Sequence, residues 1–241
     1  MNISEERIIG EIVAEDYRTA SVFKSYGIDF CCKGNRTIRE ACKTERIKIG
    51  RLLSDLHHAA NHAAKKSVEY HLWPLDKLAD YIQEKHHKYV AVNIPLIKQS
   101  LEKICKVHGQ AHPELFEIAK LFNRSSRELS KHMHKEELVL FPFIRRLAVA
   151  KINNWRPEDP NFGTVKNPIQ MMMLEHEHEG EVLRLISNLS NRYIPPPDAC
   201  NTYRLTLVML QAFEEDFHKH LHLENNILFP KTIALENELK L

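Results

Sequence analysis

The segment His132-Met-His-Lys-Glu136-Glu-Leu-Val-Leu-Phe141-Pro142 returns near the end of the chain as His220-Leu-His-Leu-Glu224-Asn-Asn-Ile-Leu-Phe229-Pro230. Six of the eleven positions are identical, and in each copy a histidine precedes a glutamate by four residues. That spacing sets an imidazole and a carboxylate one turn apart on the same helix face. A chain that makes this pair twice is expected to build a site for two metal ions inside a helical core.

Around the two copies run four long helical patterns, at about 75–107, 112–148, 165–191 and 198–237. They are separated by Gly109, by the Asn- and Pro-rich stretch after Ile152, and by Pro195-Pro-Pro197. Long helices joined by short connections pack as antiparallel neighbours, so the expectation is an all-α protein with an up-down-up-down four-helix bundle. If the second and fourth helices carry the repeated pair, the first and third should complete the site. His86 and His176 are the candidates: the steps His86–His132, His132–His176 and His176–His220 are 46, 44 and 44 residues. In an up-and-down bundle such near-equal steps return to one level of the core. His134 and His222 lie two residues past the ligand histidines, about 200° round the helix, and so face elsewhere. Imidazole and carboxylate without thiolate suit iron, manganese or zinc. Carboxylates shared in a four-helix core point to a redox-active pair of irons.

The other composition signals are bland. At 241 residues the chain has room for one large domain and a small one, and its formal charge of +2 with no basic block gives no reason to expect nucleic acid. No run of 18 uncharged apolar residues suggests a membrane span, and the start does not resemble a signal peptide. Five cysteines, an odd number without framework spacing, fit a reducing cytoplasmic setting.

The front of the chain, 1–57, reads as a separate helical unit. Ser4 is expected to cap a helix reaching about Glu15, and Gly27 to stop a second. Thr37 and Glu40 form a capping box for a third. Between them lies Asp29-Phe-Cys31-Cys32-Lys-Gly34. Residues 58–74 read as a linker, with His57 beside it and His58, His62 and His71 in it taken as solvated, and 75–241 as the bundle. Adjacent Cys31 and Cys32 are expected to be badly placed to share one metal. Lys33 beside them favours thiolate. Cys42, Cys105 and Cys200 read as packing residues.

Taken together, the Cys31-Cys32 turn and both His-x-x-x-Glu-x4-Phe-Pro copies resemble the repair-of-iron-centres proteins, which are hemerythrin-like. The resemblance covers nearly the whole chain. It implies His86, His132, His176 and His220 as iron ligands, Glu136 and Glu224 as bridges, and acidic residues near the site at Glu128 and Glu175. It also implies a redox or transfer role for Cys31 and Cys32, damaged or apo iron–sulfur proteins as partners, and nitric oxide as a small ligand, with nitric-oxide reduction an open question. Oxygen-carrying hemerythrins have a further histidine where this chain has Gly180. That leaves an open position at the metal and favours reactivity or iron release over oxygen carriage. The alternatives are an oxygen or nitric-oxide sensor and a ferritin-like ferroxidase. The second is disfavoured because no paired Glu-x-x-His pattern is present.

Overall fold

The computed structural model describes residues 3–61 and 68–240. The chain divides into two compact units. One is Ala79–Ile144 with Asp159–His218, and the other is Met1–Leu78 with Arg145–Glu158 and Lys219–Leu241. Eleven α-helices lie among the described residues: α1 Ile9–Glu15, α2 Thr19–Ser25, α3 Ile38–Glu45, α4 Ile49–Asn61, α5 Leu75–Tyr81, α6 Lys88–His108, α7 Glu114–Lys135, α8 Phe141–Asn153, α9 Lys166–Leu189, α10 Asn201–Leu223 and α11 Phe229–Lys240. No helix among them is long and apolar enough to cross a membrane.

The first unit holds most of the bundle that the periodicity predicts, but 75–78, 145–158 and 219–241, expected in that bundle, group with the front of the chain. On α7, the residues Leu115, Ile118, Phe122, Ser125, Leu129, His132 and Met133 are buried, a three-to-four spacing that makes one inward stripe. Direction follows from side-chain pairs. Ser125 meets Glu179 and His132 meets Glu175, so α7 and α9 run antiparallel. His108 at the end of α6 touches Cys200 just before α10, so those two also run antiparallel. Phe213 of α10 packs edge-on to Phe122, with ring centroids 5.3 Å apart, and lies beside Tyr89 of α6.

The second unit gathers the front of the chain. Thr37 and Glu40 make the expected capping box at α3, and Gly27 stops α2 with φ +71°. Ser4 does not cap α1. The helix begins later, at Ile9, because Ile8 is held extended in a bridge to Thr37. Residues 58–61, expected as linker, continue α4, and the positions 62–67, His62 among them, lie outside the described residues. His71 is not a solvated side chain: its Nδ1 lies 3.0 Å from the carbonyl oxygen of Ala14, and its own carbonyl accepts from Lys231.

Three turns among the described residues depart from α geometry. Ile82–His87, Glu136–Leu140 and Glu224–Leu228 are π turns, each placed within an otherwise continuous helix. Pro142 and Pro230 follow the last two. Neither can donate an amide hydrogen to the carbonyl four residues back, and each ring crowds it, which a wider turn relieves. Such turns mark functional positions more often than plain helix does.

Candidate metal centre

The π turns sit where the candidate ligands are. Glu136 opens the second π turn and is fully buried. Its Oε1 lies 3.4 Å from His132 Nε2 and its Oε2 lies 3.4 Å from His87 Nε2. One carboxylate thus turns one oxygen toward each of two imidazoles, and neither oxygen accepts a hydrogen bond. Leaving a carboxylate buried in this way costs several kcal/mol unless a cation completes it.

The histidines are aimed by their far nitrogens. Glu175 Oε2 is 2.8 Å from His132 Nδ1, and Glu137 Oε1 is 2.8 Å from His87 Nδ1. A carboxylate on Nδ1 fixes the tautomer that presents Nε2 as an electron-pair donor, the arrangement that metal-binding histidines use. His176 Nε2 faces His132 Nε2 at 2.9 Å. On the second repeat, His220 Nε2 lies 3.1 Å from Glu224 Oε1, both fully buried. Two groups of ligand atoms, each within 4.8 Å of one another, emerge: His87, Glu136, His220 and Glu224, and His132, Glu136, His176 and Glu224. Both carboxylates belong to both groups.

Electrostatics agree that the place suits positive charge. Burial alone would lower His132, yet Glu136 and Glu175 raise it to about 9. Glu175, bonded to His132 and Lys135, falls to about 2. Burial works against ionising Glu136 too, but His132 and His87 hold it well below the usual carboxylate range.

One residue differs from the sequence expectation. The structure draws His87, not His86, into the four-atom group. His86 gives Nδ1 to Asp216 at 2.9 Å and sets its ring edge-on to Tyr81. Both histidines lie in the π turn Ile82–His87, where the extra residue per turn re-aims the side chains, so near-equal chain steps do not by themselves tell the two neighbours apart. The signal in the sequence was slight: the step from His87 to His132 is 45, one residue closer to the 44 of the other two steps. Of the two acidic residues expected nearby, Glu175 reaches His132, whereas Glu128 pairs with Lys131 at 3.1 Å and lines the rim of a recess of ≈ 550 Å³ alongside His132 and Glu175. Glu179, not foreseen, is buried in that wall and bonded to Ser125. Gly180 is buried on α9, one turn after His176.

The cysteine turn also departs from expectation. Cys31 and Cys32 point their sulfurs to one side, 3.8 Å apart. Lys33 does not prevail at Cys31: contact with the Cys32 thiol, then burial, push its pKa well above the ordinary value. Cys42 and Cys105 are buried, as expected of packing residues, but Cys200 is exposed.

Residues 78–232 match the family described as Hemerythrin HHE cation binding domain, and residues 5–60 match Domain of Unknown function (DUF542), also called ScdA_N. The chain is 32% identical over 230 residues to Iron-sulfur cluster repair protein ScdA of Staphylococcus haemolyticus (strain JCSC1435), covering 95% of this chain and 99% of that protein. It is 28% identical over 228 residues to Iron-sulfur cluster repair protein YtfE of Citrobacter koseri (strain ATCC BAA-895 / CDC 4225-83 / SGSC4696), covering 95% and 97%. The chain belongs to the repair-of-iron-centres family. Both family matches fall on the segments read from the sequence as front unit and bundle, and the hemerythrin match contains every histidine and glutamate of the two four-atom groups.

Proposed function

We propose that this protein holds two iron ions, one in each four-atom group, and acts in the repair of iron–sulfur clusters damaged by nitric oxide or oxidative stress. The observation that carries the reading is Glu136: a fully buried carboxylate without a hydrogen-bond donor, its two oxygens turned toward two different histidines. His87, His132, His176 and His220 would bind through nitrogen, with Glu136 and Glu224 shared between the metals. An iron pair so held supplies one-electron redox chemistry and positions for a small ligand such as nitric oxide.

The chain's own residues set how that pair is gripped. Glu137 and Glu175 orient His87 and His132, so metal and proton compete for the Nε2 atoms and the hold is reversible and pH-dependent. Gly180 contributes no side chain where a further ligand would stand, which supports release or reaction over oxygen carriage. Damaged or apo cluster proteins are the proposed partners, consistent with the names of the relatives. The second reading, a sensor, is favoured by one contact: Asn225, next to Glu224, donates to the carbonyl of Cys31 and so links the metal-bearing turn to the cysteine turn.

The test is anaerobic mixing of iron-loaded protein with nitric oxide, and separately with an apo iron–sulfur protein. Iron is counted before and after, and headspace gas is analysed for nitrous oxide. Iron appearing in the acceptor supports donation, nitrous oxide supports reduction, and a stable adduct with neither supports sensing. A protein that takes up no iron, or one ion with Glu136→Leu unaffected, would overturn the dinuclear reading.

A further inference from the structure

We propose that Asp29, Cys31 and Cys32 form a second, mononuclear metal site for a thiophilic divalent cation. The residues lie in the turn between α2 and α3. Asp29 Oδ1 accepts the backbone N–H groups of Cys31 and Cys32 at 3.2 and 2.9 Å, which bends the chain so that both sulfurs emerge on the side of that same oxygen. The Cys31 sulfur is 3.4 Å from Oδ1, and the two sulfurs are 3.8 Å apart. The three ligand atoms lie within 4.8 Å of one another.

The sulfur spacing is the telling quantity. A tetrahedral ion about 2.3 Å from each thiolate subtends an S···S edge of about 3.8 Å, so a metal fits between them without moving either sulfur. Adjacent cysteines rarely meet this condition, because successive side chains of an extended chain point to opposite faces. Here the turn removes that obstacle.

The turn is also held before any metal arrives. Asn225 Nδ2 donates to the Cys31 carbonyl and Asn226 Nδ2 to the Phe30 carbonyl, each at 3.0 Å. Gly34 closes the loop where a Cβ would lie 2.3 Å from the Phe30 carbonyl oxygen, so no other residue fits without movement. Cys31 is buried while Cys32 and Asp29 are half-exposed, so solvent and an ion reach the group past those two side chains.

Binding exchanges two thiol protons for one cation, and both protons pass to solvent. The two thiolates and the carboxylate leave the complex with one net negative charge. Three protein ligands leave the fourth tetrahedral position for water or an incoming thiolate. An open position of that kind suits ions in transit, whereas structural sites close all four. Sulfur ligands select ferrous iron, zinc or cobalt over magnesium and calcium.

Cobalt(II) is the probe, because only sulfur ligation gives an intense sulfur-to-metal charge-transfer band and the histidine–glutamate centre cannot produce one. The reduced full-length chain, with that centre first filled with iron under anaerobic conditions, is titrated with cobalt(II). The expected result is a charge-transfer band saturating at one added equivalent, lost in Cys31→Ala and in Cys32→Ala and retained in Cys200→Ser. Asp29→Asn should keep the band but need roughly tenfold more cobalt, the scale for losing one charged ligand interaction. Iron content and helical circular dichroism, read on the same samples, show whether each variant is folded and whether the other centre is intact. No band in the wild-type chain, or a band unchanged in both cysteine variants or abolished in Cys200→Ser, would overturn the proposal.

Discussion

The two copies of the repeated segment agree at the residues that face the metal groups and part at the residues that follow the glutamate. In the first copy, Glu137 turns to His87 and His134 is exposed. In the second, Asn225 and Asn226 turn instead to the carbonyls of Cys31 and Phe30. His222, the counterpart of His134, is buried against Tyr17 and Phe30, with ring centroids 5.3 and 6.3 Å away. Burial holds that ring down at about 3, so it stays neutral, and its Nδ1 lies 3.0 Å from Asn226 Nδ2. The same helical device thus carries two outward faces. One face orients His87 within the bundle, and the other fastens the cysteine turn. The ligand-atom residues are identical in the two copies, His134 and His222 are identical yet meet different surroundings, and the residues after the glutamate diverge with what lies against each helix.

Several substitutions break or sharpen this comparison. The largest effect is expected where the copies agree: Glu136→Leu and Glu224→Leu should each lose most bound iron, measured by metal analysis after anaerobic loading. Full retention in either one would mean that the copies are not equivalent. Next comes the histidine pair. His222→Ala empties a packed site and should cost about 2–5 kcal/mol in chemical denaturation, whereas His134→Ala should stay within about 0.5 kcal/mol. Equal costs would remove the proposed division of faces.

Glu137→Ala should weaken metal affinity by about 10–100-fold, the usual cost of losing a carboxylate that orients a ligand histidine. Competition with a chelator measures it. Asn225→Leu, the corresponding change in the second copy, should leave affinity nearly unchanged. It leaves the buried Cys31 carbonyl without that donor, costing about 1–3 kcal/mol and speeding alkylation of Cys31. The smallest effect concerns the cysteines at the far end of the bundle. The backbone N–H of Tyr203, then His108, lower the pKa of exposed Cys200, while burial raises Cys105. A limiting amount of iodoacetamide should therefore label Cys200 first, read by peptide mass spectrometry, and His108→Ala should slow it modestly.

Much of the bundle was legible because it rests on local rules. Gly109, the break after Ile152 and the Pro195–Pro197 run separate apolar stripes of helical period, and the capping box at Thr37 needs only residues within one turn. The repeated His-x-x-x-Glu pair was legible for the same reason, since a four-residue step on a helix fixes the shared face. His86 was preferred to His87 on near-equal chain steps, and a step of 45 or 46 does not separate adjacent histidines; the π turn at Ile82–His87 decides how each ring is aimed. The cysteine turn was misjudged for a related cause. Adjacent residues were expected to diverge, and the Asp29 side chain that turns both amides inward is visible only when its hydrogen bonds are.

By itself, the sequence determined the helical class, the place of each long helix and five of the six residues in the two ligand-atom groups: His132, Glu136, His176, His220 and Glu224. These follow from spacing along one chain, which helix geometry converts directly into direction. Tertiary structure alone decided which of two buried neighbouring histidines joins the ligand-atom group, which outward face meets the cysteine turn, and how close the two sulfurs stand. Those outcomes depend on where a helix widens and on which distant carbonyl or carboxylate arrives beside it, and no interval counted along the chain contains that information.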